Sequence, residues 1–159
     1  MKKNLILLAL VMLFPFLGTA AKKKAPSEKE MKAYLMVYFT DPTHGLFMAL
    51  SPDGYTFTSL NEANPIMSGD TIAQQRGIRD PHIFRGPDGA FYLAMTDLHI
   101  FAQREGLRDT EWERDGKAFG WGNNRSLVLM KSWDLINWKR TVFRVDKAFP
   151  KEWSDVGCI

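Results

Sequence analysis

The chain has one cysteine, Cys158, in 159 residues, so no internal disulfide can form and the fold must rest on its apolar core. Histidine is also scarce, with His44, His82 and His99 only, and these three show no metal-ligand spacing. No cofactor is called for. From Ala33 onward no long stretch carries apolar residues at a 3.6-residue period, which excludes a helical bundle. A basic stripe is missing as well. The chain is three charges positive overall, but the first 32 residues carry a surplus of five, leaving residues 33–159 at −2. A mildly acidic body argues against a nucleic-acid partner.

The longest apolar run, Leu5 to Leu17, is too short to span a bilayer comfortably, which takes about 20 residues. It follows Met1-Lys2-Lys3 and ends in Gly18-Thr19-Ala20-Ala21, with Thr19 and Ala21 at the −3 and −1 positions of a signal-peptidase site. Residues 1–21 are expected to be a signal peptide rather than a membrane anchor. No cysteine follows that would take a lipid. The mature protein is therefore expected to be secreted or periplasmic, with no further membrane association. Residues 22–32 hold five lysines and two glutamates around Ala25-Pro26-Ser27. They read as a solvated linker, with a short helical turn over Ser27 to Glu30 as the lesser alternative.

What fills residues 33–159 is a series of short strands and turn signals. Strands are expected over Tyr34–Thr40, Leu46–Ser51, Tyr55–Leu60, Pro81–Arg85, Phe91–Thr96, Ser126–Lys131 and Lys139–Val145. Pro52-Asp53-Gly54 and Gly86-Pro87-Asp88-Gly89 mark tight turns. Asn61 to Arg76 reads as a loop, and Asp97 to Asn124 as a long charged, glycine-rich insertion. The chain reads as all-β.

An internal repeat organises these strands. Ser51-x-Asp53-x-x-x-Phe57 and Ser132-x-Asp134-x-x-x-Trp138 have identical spacing, and each follows two apolar strands. The serine and aspartate are expected to close the turn between the third and fourth strands of a meander, with the aromatic packing the outer strand. Four-stranded units repeated radially make a β-propeller. The first copy lacks its innermost strand, which the chain's other end supplies in many propellers. A β-sandwich with a chance turn match is the alternative.

The ordered set Arg79-Asp80-Pro81-His82-Ile83, Gly86-Pro87-Asp88-Gly89-Ala90-Phe91-Tyr92-Leu93 and Ser132-Trp133-Asp134-Leu135-Ile136-Asn137-Trp138 resembles glycoside hydrolase family 43. The resemblance spans most of residues 76–140. It implies a five-bladed propeller with an axial active site, of which this chain carries one complete four-stranded blade and three strands of another. It also implies hydrolysis of arabinose-, xylose- or galactose-containing polysaccharide, usually by inversion. Asp80 occupies the position of the family's general base. Some members hold an axial ion, but no residue here establishes one.

The residues agree with that assignment. An inner propeller strand begins at the axial mouth, Pro81 fixes the strand's start, and Arg79 is expected to favour the ionised carboxylate beside it. Strand alternation then sends Phe91–Thr96 back to the mouth, so the insertion beginning at Asp97 lies on the same face. Asp97, Trp121, Asn124 and Arg125 are expected to contact substrate, with Trp112 as an equal candidate for solvated decoration. Asp41 and His44, on the first hairpin, fall on the same face. Asp41 is expected to join the substrate-binding residues and is the second choice for an acid/base role. Glu105, Glu111 and Glu113 read as members of a charged loop.

In family 43 a Trp-Ala-Pro strand start follows the first blade, and the acid and its tuning aspartate come from later blades. Here the sequence runs to Trp153-Ser154-Asp155-Val156-Gly157-Cys158-Ile159, so both are expected beyond Ile159. Residues 22–159 alone are expected to be inactive and poorly soluble, with open strand edges. Two other readings stay open. One is a fructan-cleaving propeller, whose nucleophile strand Thr40-Asp41-Pro42-Thr43-His44-Gly45 imitates poorly. The other is a non-catalytic carbohydrate-binding propeller.

Overall fold

A computed structural model describes residues 27–102, 104–106 and 124–151. The apolar N-terminal segment, Glu111, Trp112, Glu113, Trp121 and Cys158 lie outside them. Among the described residues no helix is long and apolar enough to cross a membrane.

The chain is all-β, as its periodicity requires. Strands β1 (Tyr34–Tyr38), β2 (Phe47–Ser51) and β3 (Thr58–Ser59) form one antiparallel sheet in that order. Strands β4 (Ile78–Arg85), β5 (Phe91–Asp97), β6 (Ser126–Ser132) and β7 (Lys139–Arg144) form a second, a four-stranded meander. Among the described residues helical structure is confined to short turns, including Glu28–Glu30, Gly69–Ile72 and Val145–Ala148. The first of these falls in the expected linker. Both the backbone N–H and the hydroxyl of Ser27 donate to Glu30 Oε2 at 2.7 Å, so the serine and glutamate cap the turn locally.

The sequence repeat is a structural repeat. Ser51 ends β2 and Ser132 ends β6. In each, the buried serine hydroxyl accepts the N–H groups two and three residues on, at 2.8–3.3 Å, and donates to the following aspartate. Asp53 Oδ1 then accepts from Tyr55 and Thr56, as Asp134 Oδ1 does from Ile136 and Asn137. Both turns need a left-handed residue next, supplied by Gly54 (φ 79°) and Leu135 (φ 64°). These bonds also explain a difference from expectation. The third strand shrinks from Tyr55–Leu60 to Thr58–Ser59, because Asp53 has captured the amides of Tyr55 and Thr56. In the second copy Trp138 packs against the core and donates its Nε1–H to the Leu135 carbonyl at 3.1 Å.

The core lies between the two sheets. Alternation on β5 and β6 turns Leu93, Met95, Val128 and Met130 inward, and their register pairs Leu93 with Met130 and Met95 with Val128. Met48 meets them from the first sheet and Leu46 from just before β2, with Ile78 from the start of β4 and Ile72 and Ala73 from the connection that precedes it. Each of the leucine, isoleucine, valine and methionine side chains contributes about 1.5–3 kcal/mol when fully buried.

That connection, residues 60–77, leads from β3 to the free edge strand β4. Backbone bonds sew it to the first sheet, among them Ile66 N–H to Leu46 O and Leu46 N–H to Met67 O. Arg140 on β7 donates to the carbonyls of Thr71 and Ile72 at 3.1 and 2.6 Å. The packing is tight enough to demand glycine. A Cβ on Gly69 would lie 2.2 Å from the His44 carbonyl oxygen and 2.7 Å from Gly77 Cα.

Candidate active site

One end of the two sheets gathers four segments: the β1–β2 hairpin, the start of β4, the end of β5 and the start of β6. The Ile78 N–H donates to the His44 carbonyl at 2.8 Å, joining hairpin to β4, and Leu98 N–H donates to Gly77 O at 3.0 Å. Ile78 stands opposite Asp97 in the β4–β5 register. The strand alternation read from sequence therefore brings Asp41, His44, Asp80, Asp97, Asn124 and Arg125 to the same end. Trp121 lies outside the described residues.

Asp80 is exposed and sits in a β-bulge. Arg79 pairs with Thr96 and His82 with Ala94, so Asp80 and Pro81 together oppose one residue of β5. The Asp80 φ is 48°, in the left-handed region. For a residue with a Cβ that region costs roughly 1–2 kcal/mol, and aspartate is among the few that visit it. Pro81 lacks an N–H and loses nothing by leaving the ladder here. The strand itself begins at Ile78, three residues earlier than expected, which places Asp80 inside it rather than before it.

Arg79 reaches from the bulge to the β1–β2 hairpin. Its Nη1 donates to Asp41 Oδ1 at 2.8 Å, and its guanidinium carbon lies 4.6 Å from the centroid of the Phe39 ring. Asp97 departs from expectation. It is fully buried. Oδ1 accepts the Gln75 N–H at 2.8 Å, and Oδ2 accepts the Gln74 N–H at 3.1 Å and the Ser126 hydroxyl at 2.6 Å. The carboxylate ties the connection before β4 to β5 and β6, a structural task in place of an open face toward substrate. Asn124 is also buried, and its Oδ1 accepts the Ser126 N–H at 3.3 Å. Arg125 is half-buried, and its carbonyl accepts the Val145 N–H at 2.9 Å.

A feature the sequence did not disclose is a stacked histidine pair. The rings of His44 and His99 lie 3.9 Å apart at 10°, and Phe101 meets His44 edge-on. Gly77 makes room for both, since a Cβ there would approach each histidine Cβ within 2.8 Å. His99 follows β5 directly and faces the β1–β2 hairpin. That placement was the only sequence signal for the pair. His44 is fully buried, and neither ring nitrogen has a well-formed hydrogen bond among the described residues. Burial, then His99, then Arg79 push its pKa down to about 4, against a smaller opposing pull from Asp41 and its carbonyl.

This fixes a pH dependence. The unfolded histidine takes up a proton near pH 6.5, whereas the native one resists until about 4. Between those values the unfolded state binds more protons, so stability falls as the pH drops through that window. The loss is on the order of 3 kcal/mol when complete. Denaturant midpoints are expected to fall between about pH 7.5 and about pH 4.5, and His44→Gln should flatten that slope. An unchanged slope in the variant would assign the acid sensitivity elsewhere. Among the described residues no group of three or more His, Cys, Asp or Glu side chains could hold a metal ion.

Asp80 is thus an exposed carboxylate on a strained edge bulge at one end of an all-β domain. Over residues 29–154 the chain matches the family described as "Probable glycosyl hydrolase domain", related to glycoside hydrolase family 43, and it belongs to that family. No curated protein and no solved structure gives a significant match.

Proposed function

We propose that the protein is a secreted glycoside hydrolase acting on arabinose-, xylose- or galactose-containing polysaccharide, by inversion, with Asp80 as general base. The observation that carries this reading is the Asp80 bulge. An exposed carboxylate is held in a strained backbone near the start of an edge strand, in the Arg79-Asp80-Pro81 motif whose resemblance to family 43 implies the base. In this reaction Asp80 takes a proton from water as the water attacks the anomeric carbon. The leaving oxygen is protonated on the opposite side of the sugar by an acid about 6.5–9.5 Å away. Family 43 draws that acid and its tuning carboxylate from later blades.

A propeller is the architecture that best accounts for the sheets. Both carry apolar residues on the face turned away from the shared core. On the first sheet these are Tyr34, Met36, Tyr38 and Phe47, with Tyr38 stacked on Phe47 at 5.1 Å. On the second they include Phe84, Tyr92, Leu127, Leu129 and Phe143. A two-layer sandwich turns polar residues outward, whereas a blade is covered on both faces by its neighbours. The connection from β3 to the edge strand β4 fits the step from an outer strand to the next inner one. Export rests on the N-terminal segment alone.

The test is turnover of aryl arabinofuranosides, xylosides and galactosides by the full-length protein, with proton NMR of the first anomer released. Inverted product is expected. Retained configuration would favour the fructan-cleaving type of mechanism. Oligosaccharide binding without turnover would make the protein a carbohydrate-binding domain.

A further inference from the structure

Among the described residues no strand pairs with the outer side of β4, so the bulge that presents Asp80 is open on that side. On its other side the β5 ladder lapses at that point, between Arg79 and His82. Neither the strand's own hydrogen bonds nor Pro81 fixes where the carboxylate sits. The residue just before the bulge is, by contrast, firmly held. Arg79 meets Asp41 Oδ1 at 2.8 Å and covers the Phe39 ring, and its side chain is 17% exposed although it carries a charge. The preceding amide, of Ile78, is bonded to the His44 carbonyl.

Asp41 in turn sits on a braced turn. The His44 and Thr43 amides both donate to the Thr40 carbonyl, at 2.8 and 3.2 Å, and the Thr40 and Thr43 hydroxyls bond each other at 2.8 Å. The Arg79–Asp41 contact is charge-assisted, joins residues 38 apart in sequence, and links this turn to the bulge.

We propose that Asp41 and Arg79 form a clamp that sets the Asp80 bulge, with Asp41 a positioning residue acting through Arg79 rather than a group that touches substrate. This rests on the reading of Asp80 as the base. A misplacement of about 1 Å at a reacting group is enough to lower a rate roughly 100-fold. Loss of the clamp should therefore appear in kcat.

The experiment compares Asp41→Asn, Asp41→Glu, Arg79→Ala and the Asp41→Asn/Arg79→Ala double variant in the full-length protein. Steady-state kinetics are combined with amide hydrogen exchange. Asp41→Asn should lower kcat roughly tenfold or more with KM within about twofold. The double variant should be no worse than Arg79→Ala, because the pair acts as a unit. Asp41→Glu should recover part of the loss. Exchange at Arg79, Asp80 and His82 should quicken about tenfold in Asp41→Asn while amides of β5 and β6 hold.

A raised KM with kcat retained would overturn the proposal and place Asp41 on the substrate. Unchanged exchange at the bulge would overturn it too. Should Asp80→Asn keep its turnover, the base assignment falls, and the exchange measurement still decides whether the clamp exists.

Discussion

Asp80→Asn is expected to lower turnover of the full-length protein roughly 1,000-fold while leaving its fold and its substrate affinity in place. The size follows from the role. Removing a positioned general base forfeits on the order of 10²–10⁴ in rate. The substitution is clean for a structural reason. The Asp80 backbone is left-handed at φ 48°, and asparagine enters that region at least as readily as aspartate. The amide keeps the size and shape of the carboxyl, but it is uncharged, carries an NH₂ in place of one oxygen and cannot take up the proton. KM should stay within about twofold, and the melting temperature should not move. Asp80→Ala is a poorer probe, because alanine at this φ adds strain to the lost chemistry. Activity of Asp80→Asn within about tenfold of the parent would remove Asp80 from the mechanism.

Asp97→Ala is expected to destabilise the protein by about 3–5 kcal/mol, more than a change at any other residue of the site. Asp97 is fully buried, and its two oxygens accept from two backbone amides and one hydroxyl. Alanine leaves the Gln74 and Gln75 amides and the Ser126 hydroxyl without their acceptor where water cannot easily replace it. Against a total stability of about 5–15 kcal/mol for an ordinary domain, much of the folded population is lost. Asparagine keeps one acceptor oxygen but turns an NH₂ group toward a donor, so its effect should fall between those of alanine and the parent. Denaturant unfolding measures the loss, and amide exchange at Gln74 and Gln75 locates it. If Asp97→Ala instead unfolds like the parent and weakens oligosaccharide binding, Asp97 is the substrate contact that the sequence suggested.

These two aspartates look alike in the sequence and behave differently in the fold. Strand alternation and turn chemistry place both Asp80 and Asp97 toward one end of the sheet, and both lie toward the same end of the β4–β5 pair. They cannot say which carboxylate faces out. That depends on the connection before β4, whose amides at Gln74 and Gln75 come to rest against Asp97 once Gly69 and Gly77 have let it approach His44. Likewise, adjacency suggests Arg79 as the partner of Asp80, yet neighbours on a strand point to opposite faces. Arg79 instead reaches Asp41 on the β1–β2 hairpin, 38 residues away in sequence.

What the sequence determined by itself is therefore local. The strands follow from period-two burial, and the paired turns follow from a serine and an aspartate that capture the amides two and three residues on. The repeat follows from using that turn twice. None of this needs a contact between distant parts of the chain. The tertiary structure alone decided the bulge at Asp80, the Arg79–Asp41 pair, the His44–His99 stack and the burial of Asp97. Each of these joins segments far apart in the chain, and its geometry depends on how closely two sheets and one connection pack, which no local pattern of residues encodes.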